Sequence, residues 1–190
     1  MSTEQEIKLI GLDKFNVLDK VKTIIPDFQI TGSISLLVHN IIDRPVEDID
    51  LVIDNLHQLE AFKRINVNIE HSYDYDFEVP TITMYTPKQN NSPVLKEVKL
   101  PNRAFTEIDG VKVCFFIRKD LKYINYEFTT GYRRFKITDP EYTIESKIKY
   151  IKKYNDLELN FPLPEHSKKI REKHLKDVWA YKESLNQLPF

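Results

Sequence analysis

Ile30-Thr31-Gly32-Ser33, followed by Asp48-Ile49-Asp50-Leu51-Val52-Ile53, is the stretch on which the reading of this chain turns. A Gly-Ser turn leaves one apolar strand, and a second apolar strand opens with acids one residue apart. Side chains along a strand alternate between its faces, so Asp48 and Asp50 point the same way. Carboxylates sharing a face repel each other unless a positive charge sits between them, and an oxygen-bound divalent cation is a common answer. A metal held beside a Gly-Ser turn suits phosphoryl or nucleotidyl transfer, because the cation neutralises phosphate oxygens while glycine lets the backbone approach them.

Working outward, Leu12, Phe15, Leu18, Val21 and Ile25 recur at spacings of three and four and predict an amphipathic helix over 12–25, stopped by Pro26. A short strand over 28–30 runs to Gly32, and 33–42 reads as an apolar helix that Ser33 can cap. Asp43-Arg44-Pro45 is a loop signal, 48–54 a strand with its acids on one face, and 56–65 a helix. Strands over 79–85 and 94–100 bracket a polar 87–93 connection and suggest a hairpin. Glu107-Ile108-Asp109-Gly110 turns into 111–117, the strongest strand pattern in the chain, and 123–128 with 132–137 form a further pair around Gly131. From Asp139-Pro140 the character becomes helical, over 139–154 and again over 167–185. The expected fold is therefore α/β with a mixed sheet, residues 1–138 forming the core and 139–190 a C-terminal helical segment packed on it.

Composition narrows the function classes. The 190 residues are 41% hydrophobic with a net charge of -1, which excludes a globally basic nucleic-acid binder. Residues 1–117 carry 12 Lys/Arg against 18 Asp/Glu, whereas 118–190 carry 16 against 11, a polarity that fits metal on one wall of a cleft and phosphates on the other, or ordinary surface variation. The lone Cys114 allows no internal disulfide, no apolar run approaches the length of a bilayer span, and the polar N-terminus is unlike a signal peptide, so a cytoplasmic location is expected. The five His show no zinc spacing. Tyr123, Tyr126, Tyr132 and Tyr142 interleave with Arg133, Arg134 and Lys136, either to stack bases or as residues of a sheet.

The Gly-Ser turn followed by Asp-apolar-Asp resembles the signature of the DNA polymerase beta-like nucleotidyltransferase superfamily. Arg44-Pro45-Val46-Glu47-Asp48-Ile49-Asp50 resembles the Arg-x-Thr-x-Asp-apolar-Asp variant of the AbiEii-type branch, with Val46 in place of Thr. Glu107-Ile108-Asp109-Gly110-Val111-Lys112-Val113 is similar to the turn that leads into a later core strand of that family. Ile137-Thr138-Asp139-Pro140-Glu141 with Lys147, and Lys173-His174-Leu175-Lys176-Asp177, resemble its two following helices, His174 replacing an Asp.

The resemblance implies a nucleotidyltransferase-like core that moves a nucleoside monophosphate from an NTP to a hydroxyl of RNA or protein, in a toxin or defence setting. It implies that Asp48 and Asp50 hold Mg²⁺ or Mn²⁺, that Gly32, Ser33, Arg44 and Lys147 bind the nucleotide, and that Lys147 and Asp177 join the aspartates in catalysis. It also exposes a departure, because Cys114 stands where a third metal-binding acid is usual, and a neutral thiol is a poor ligand for Mg²⁺. Asp177 is one candidate to replace that acid. The other reading is a catalytically impaired module of the same fold that binds nucleotide, RNA or a protein partner.

Overall fold

The computed structural model describes residues 8–74, 79–86, 94–117, 123–128 and 133–186. The expected 87–93 connection, Gly131 and Tyr132 lie outside the described residues, as do the side chains of Tyr123, Tyr126 and Arg133.

The first helix, α1 (Leu12–Ile24), buries Phe15, Val17, Leu18 and Val21, and the chain becomes extended at Ile25, one residue before Pro26. Strand β1 (Gln29–Thr31) leads directly into the short helix α2 (Gly32–Val38). That helix ends earlier than the apolar run suggests. Asn40 adopts a left-handed φ of 59°, and the Ile41 amide returns to the Leu36 carbonyl at 2.9 Å, a helix-ending geometry that Asn tolerates. Strand β2 is Ile49–Ile53.

The predicted 56–65 helix is instead a 3₁₀ turn, Leu56–Leu59, running into a single α-helical turn, α3 (Glu60–Lys63). Asn55 and Gln58 cap its start, and Asn66, again left-handed at φ 59°, marks its end. Strand β3 is Glu70–Ser72; β4 (Thr81–Thr86) and β5 (Val94–Lys99) pair antiparallel as a separate ribbon.

Strand β6 (Arg103–Ile108) carries no strong apolar signal, yet it alternates, with Ala104, Thr106 and Ile108 buried. It pairs antiparallel with β7 (Val111–Ile117) through Asp109 and Gly110, whose φ values of 51° and 77° form the two-residue turn that suits a twisted hairpin. Strands β8 (Tyr123–Phe128) and β9 (Arg133–Thr138) form the last hairpin. Helix α4 (Pro140–Glu158) begins with Pro140 in its first turn and Asp139 accepting the Glu141 amide at 2.9 Å, and α5 is Glu165–Asn186.

Among the described residues β3-β6-β7-β2-β1-β9-β8 form a seven-stranded mixed sheet. Its centre pairs β2 parallel to β7, β2 antiparallel to β1, and β1 parallel to β9. One apolar core runs through the molecule, from Phe15 and Leu18 of α1 through Ile30, Leu51 and Phe115 of the sheet to Ile144 of α4 and Val178 of α5. Both C-terminal helices thus contribute side chains to the core shared with the sheet. No helix of the described residues is long and apolar enough to cross a membrane.

Phe115, fully buried with its ring centroid 5.7 Å from that of Phe62, sits at the middle of this core. Phe115→Ala is expected to lower unfolding free energy by about 3–5 kcal/mol in urea titrations, whereas Leu95→Ala, at a 60%-exposed position, should change it by less than about 0.5 kcal/mol.

Candidate functional site

The site begins at the centre of the sheet. Antiparallel pairing sets Thr31 beside Asp50, and parallel pairing sets Cys114 on Asp50's other side. Gly32 follows with a φ of +66°, and a Cβ built there would lie 2.1 Å from Oδ2 of Asp50. Glycine is therefore required twice, for the backbone conformation and for the space that the Asp50 carboxylate occupies. Asp48 lies just before β2 and is half-buried. Asp50 is pushed up to about 6, first by burial and then by the charge of Asp48, with Lys147, Arg103 and Lys173 opposing the rise. The charge of Asp48 thus bears on Asp50.

A second cluster lies across the site. Asp177 of α5, with a side chain 1% exposed, accepts from Arg44 Nε at 3.1 Å and from Arg44 Nη2 at 2.7 Å. Lys147 Nζ of α4 approaches the same carboxylate at 3.0 Å. Burial raises the Asp177 carboxyl, but the Arg44 hydrogen bonds and the Lys147 charge outweigh it and hold the group below the usual carboxylate range. Arg44 also donates to Ser33 Oγ at 3.2 Å. Ser33 does not cap α2 through its side chain; its hydroxyl joins the turn to the Arg44–Asp177 pair instead. The Lys173–Asp177 helix pair that the spacing permits does not form, since Lys173 reaches Glu47 at 2.8 Å.

Beneath the turn, the hydroxyls of Thr31, Thr138 and Thr143 lie 3.0–3.5 Å from one another, and Ser35 Oγ donates to the Thr138 carbonyl at 2.8 Å. These contacts tie β1, α2, β9 and α4 together. A cavity of about 110 Å³ opens here, its wall including Gly32, Asp50, Phe116, Lys147, Tyr150 and His174. His174 is driven down to about 3, by burial first and then by the Lys147 charge, so its ring is neutral near pH 7. His174 Nδ1 and the Tyr142 hydroxyl, both on residues of this cavity, are buried and without hydrogen-bond partners among the described residues.

Reasoning from the sequence missed Arg103, Tyr150 and Asp74. Arg103 Nη2 lies 3.9 Å from Cys114 Sγ, and the guanidinium stacks over the Phe116 ring at 5.3 Å. The Cys114 thiol is raised to about 11, by burial and then by Asp50, so it stays protonated. Tyr150 donates to Asp74 Oδ2 at 2.9 Å, while the Asp74 amide and carbonyl bond the Asn102 side chain at 2.7 and 2.9 Å. The only sequence signal for Arg103 was its position in an alternating segment facing the 111–117 strand.

A divalent cation can be weighed against these donors. Mg²⁺ commonly takes one or two carboxylates and fills its remaining positions with water and substrate phosphate. Asp50 on the cavity wall, with the charge of Asp48 acting on it, fits one such ion. A second ion finds no equivalent ligands, because Cys114 is a neutral thiol and Asp177 is engaged by Arg44 and Lys147. Among the described residues no three His, Cys, Asp or Glu side chains group as metal ligands.

The central mixed sheet, the glycine turn over Asp50 and the C-terminal helices define a nucleotidyltransferase-like fold. The chain is similar to a solved structure from Thermotoga maritima, described as a candidate nucleotidyltransferase, with a TM-score of 0.50 and 17% identity over 79% of this chain and 92% of that one. At that identity the likeness concerns the fold. No protein-family model matches the chain, and no curated protein matches it.

Gly32→Ala should cost about 2 kcal/mol or more in urea unfolding, from left-handed strain and the displaced Asp50 carboxylate. The depressed His174 sets a pH dependence of known sign. The unfolded chain takes up its proton near 6.5 and the folded one only near 3, so this contribution to stability is full above about 6.5 and lost as pH falls toward 3. Asp50, raised to about 6, acts in the opposite direction, so the quantity to read is the difference between the parent and His174→Gln. In urea titrations at pH 7 and pH 5 the parent should lose more stability on acidification than the variant.

Proposed function

We propose that this protein is a Mg²⁺- or Mn²⁺-dependent nucleotidyltransferase of the AbiEii-type branch, cytoplasmic and related to toxin or defence systems. In this reading it takes an NTP and moves the nucleoside monophosphate to a hydroxyl of RNA or protein, releasing pyrophosphate. The observation that carries the reading is the Asp50 carboxylate pressed against Gly32 on the wall of a cavity shared with Lys147. The metal, when bound, neutralises charge on the phosphates of the transferring group.

The chain's own residues do the rest. Asp48 and Asp50 would hold the cation, which would supply positive charge to the phosphates. Gly32 and Ser33 face the phosphates, Gly32 from the turn whose missing Cβ makes room for the Asp50 carboxylate. Asp177 fixes the direction of the Arg44 and Lys147 donors, so that their charge is positioned before substrate arrives and needs no reorganisation during transfer.

A second reading is favoured by one specific observation. Cys114 occupies Asp50's neighbouring rung and Asp177 is committed to cations, so the described residues contain no third metal-binding carboxylate. That arrangement also suits a module that binds nucleotide, RNA or a protein partner without turnover.

Incubation with each labelled NTP, total RNA and lysate separates the readings. The expected result is a Mg²⁺-dependent labelled product that falls at least about a hundredfold in Asp50→Asn, and also falls in Asp177→Asn as its cations lose their anchor. A nucleotide-dependent rise in melting temperature without any labelled product supports the binding module instead. No melting shift with ATP, GTP, CTP or UTP rules out both nucleotide readings.

A further inference from the structure

Three cations act on Asp50, namely Lys147, Arg103 and Lys173. Lys147 is bound by Asp177 at 3.0 Å and Lys173 by Glu47 at 2.8 Å. Arg103 has no carboxylate ion pair among the described residues. It lies 3.9 Å from the neutral Cys114 sulfur and 5.3 Å from the Phe116 ring centroid, the charge of Asp74 reaches it without a direct ion pair, and its Nε is buried without a hydrogen-bond partner among the described residues. A guanidinium carries five N–H donors, and leaving the buried Nε donor unmatched is costly. The side chain is nonetheless held in place. Register sets Arg103 across from Phe116 and Phe105 across from Cys114, which places Arg103 on the sheet face that carries Cys114 and Phe116, and Phe116 lines the cavity.

The charges around the cavity point the same way. Asp50 and Lys147 share the cavity wall, Asp177 is held by Arg44 and Lys147, and the charges of Arg103 and Lys173 also act on Asp50 before any metal enters. The Asp74 carboxylate accepts from the Tyr150 hydroxyl at 2.9 Å and keeps a charge that acts on Arg103. Cations that already act on Asp50 oppose a bare metal ion there, and the opposition falls when the ion arrives with a polyanion.

We propose that Arg103 is a substrate-binding residue that takes phosphate oxygens of the metal–nucleoside triphosphate on the Cys114 side of Asp50, a fixed guanidinium serving where a second metal ion finds no ligands. Planar guanidinium donors match phosphate oxygens in geometry and charge. The inference rests on the nucleotidyltransferase reading of the same site, and it assigns the metal to a joint complex with nucleotide.

Calorimetric titrations of the full chain with Mn²⁺ alone and with Mn²⁺–ATP test it through effects of opposite sign. Arg103→Ala should bind Mn²⁺ alone more tightly, because a cation beside Asp50 is gone, and should bind Mn²⁺–ATP roughly tenfold to a hundredfold more weakly. Arg103→Lys should recover part of the nucleotide affinity. A purely structural role would weaken both ligands together or neither. Unchanged Mn²⁺–ATP affinity in Arg103→Ala overturns the inference while leaving the nucleotidyltransferase reading standing. Failure of the parent to bind Mn²⁺–ATP overturns both. Arg103→Gln, which keeps a stem over Phe116, carries the same comparison if the alanine variant does not melt as a folded protein.

Discussion

The Asp50 carboxylate occupies space that a side chain at position 32 would fill, and much of the site follows from that contact. For the contact to exist, β1 and β2 must run antiparallel with Thr31 beside Asp50, and the chain must turn left-handed at Gly32 as it leaves the sheet. The turn then sends α2 across the sheet's end. It also leaves the hydroxyls of Thr31, Thr138 and Thr143 together beneath it, which holds β9 and the start of α4 against β1. The fold supplies rigid elements around one acidic side chain, and the cavity is what remains between them.

Asp177 is the second anchor. A carboxylate buried to this degree would rise toward neutrality if unpaired, because a low-dielectric surrounding disfavours its charge. Arg44 and Lys147 reverse the direction and keep it ionised. The exchange binds three parts of the chain that are distant in sequence: the loop before β2, helix α4 and helix α5. Pairs of this kind add little net stability compared with an apolar core, yet breaking one leaves buried charge uncompensated. Their value here lies in orientation, since two cations are aimed by one carboxylate at the region beside the glycine turn.

The likeness to another nucleotidyltransferase-like fold carries the architecture, while the chemistry depends on individual side chains. Position 114 shows the difference. The parallel pairing of β2 and β7 puts Cys114 beside Asp50, where sheet geometry would allow another acid to converge. A protonated thiol with a guanidinium behind it gives that side of the site positive rather than negative character. The scaffold thus surrounds a charge arrangement set by this chain's own side chains.

The mixed α/β character, the strong 111–117 strand, the C-terminal helices and the adjacency of Gly32 with the Asp48–Asp50 pair were legible from period, turn residues and spacing, because these are local properties of the chain. Shorter elements were harder. The 33–42 and 56–65 helices are cut back by left-handed Asn40 and Asn66, and Ser33 gives its hydroxyl to Arg44 rather than to a cap. Strand β6 was invisible because its alternation, Arg-Ala-Phe-Thr-Glu-Ile, contains few large apolar residues. By itself the sequence determined which residue types were available and that Gly32 and Asp50 stand at neighbouring strand ends. Only the tertiary structure decided that Asp177 would hold Arg44 and Lys147, that Lys173 would turn to Glu47, and that Arg103 would lie beside Cys114 with no carboxylate ion pair among the described residues. Those outcomes depend on pairing register and helix packing between segments far apart in the chain, where several charged partners compete for each carboxylate and only geometry selects among them.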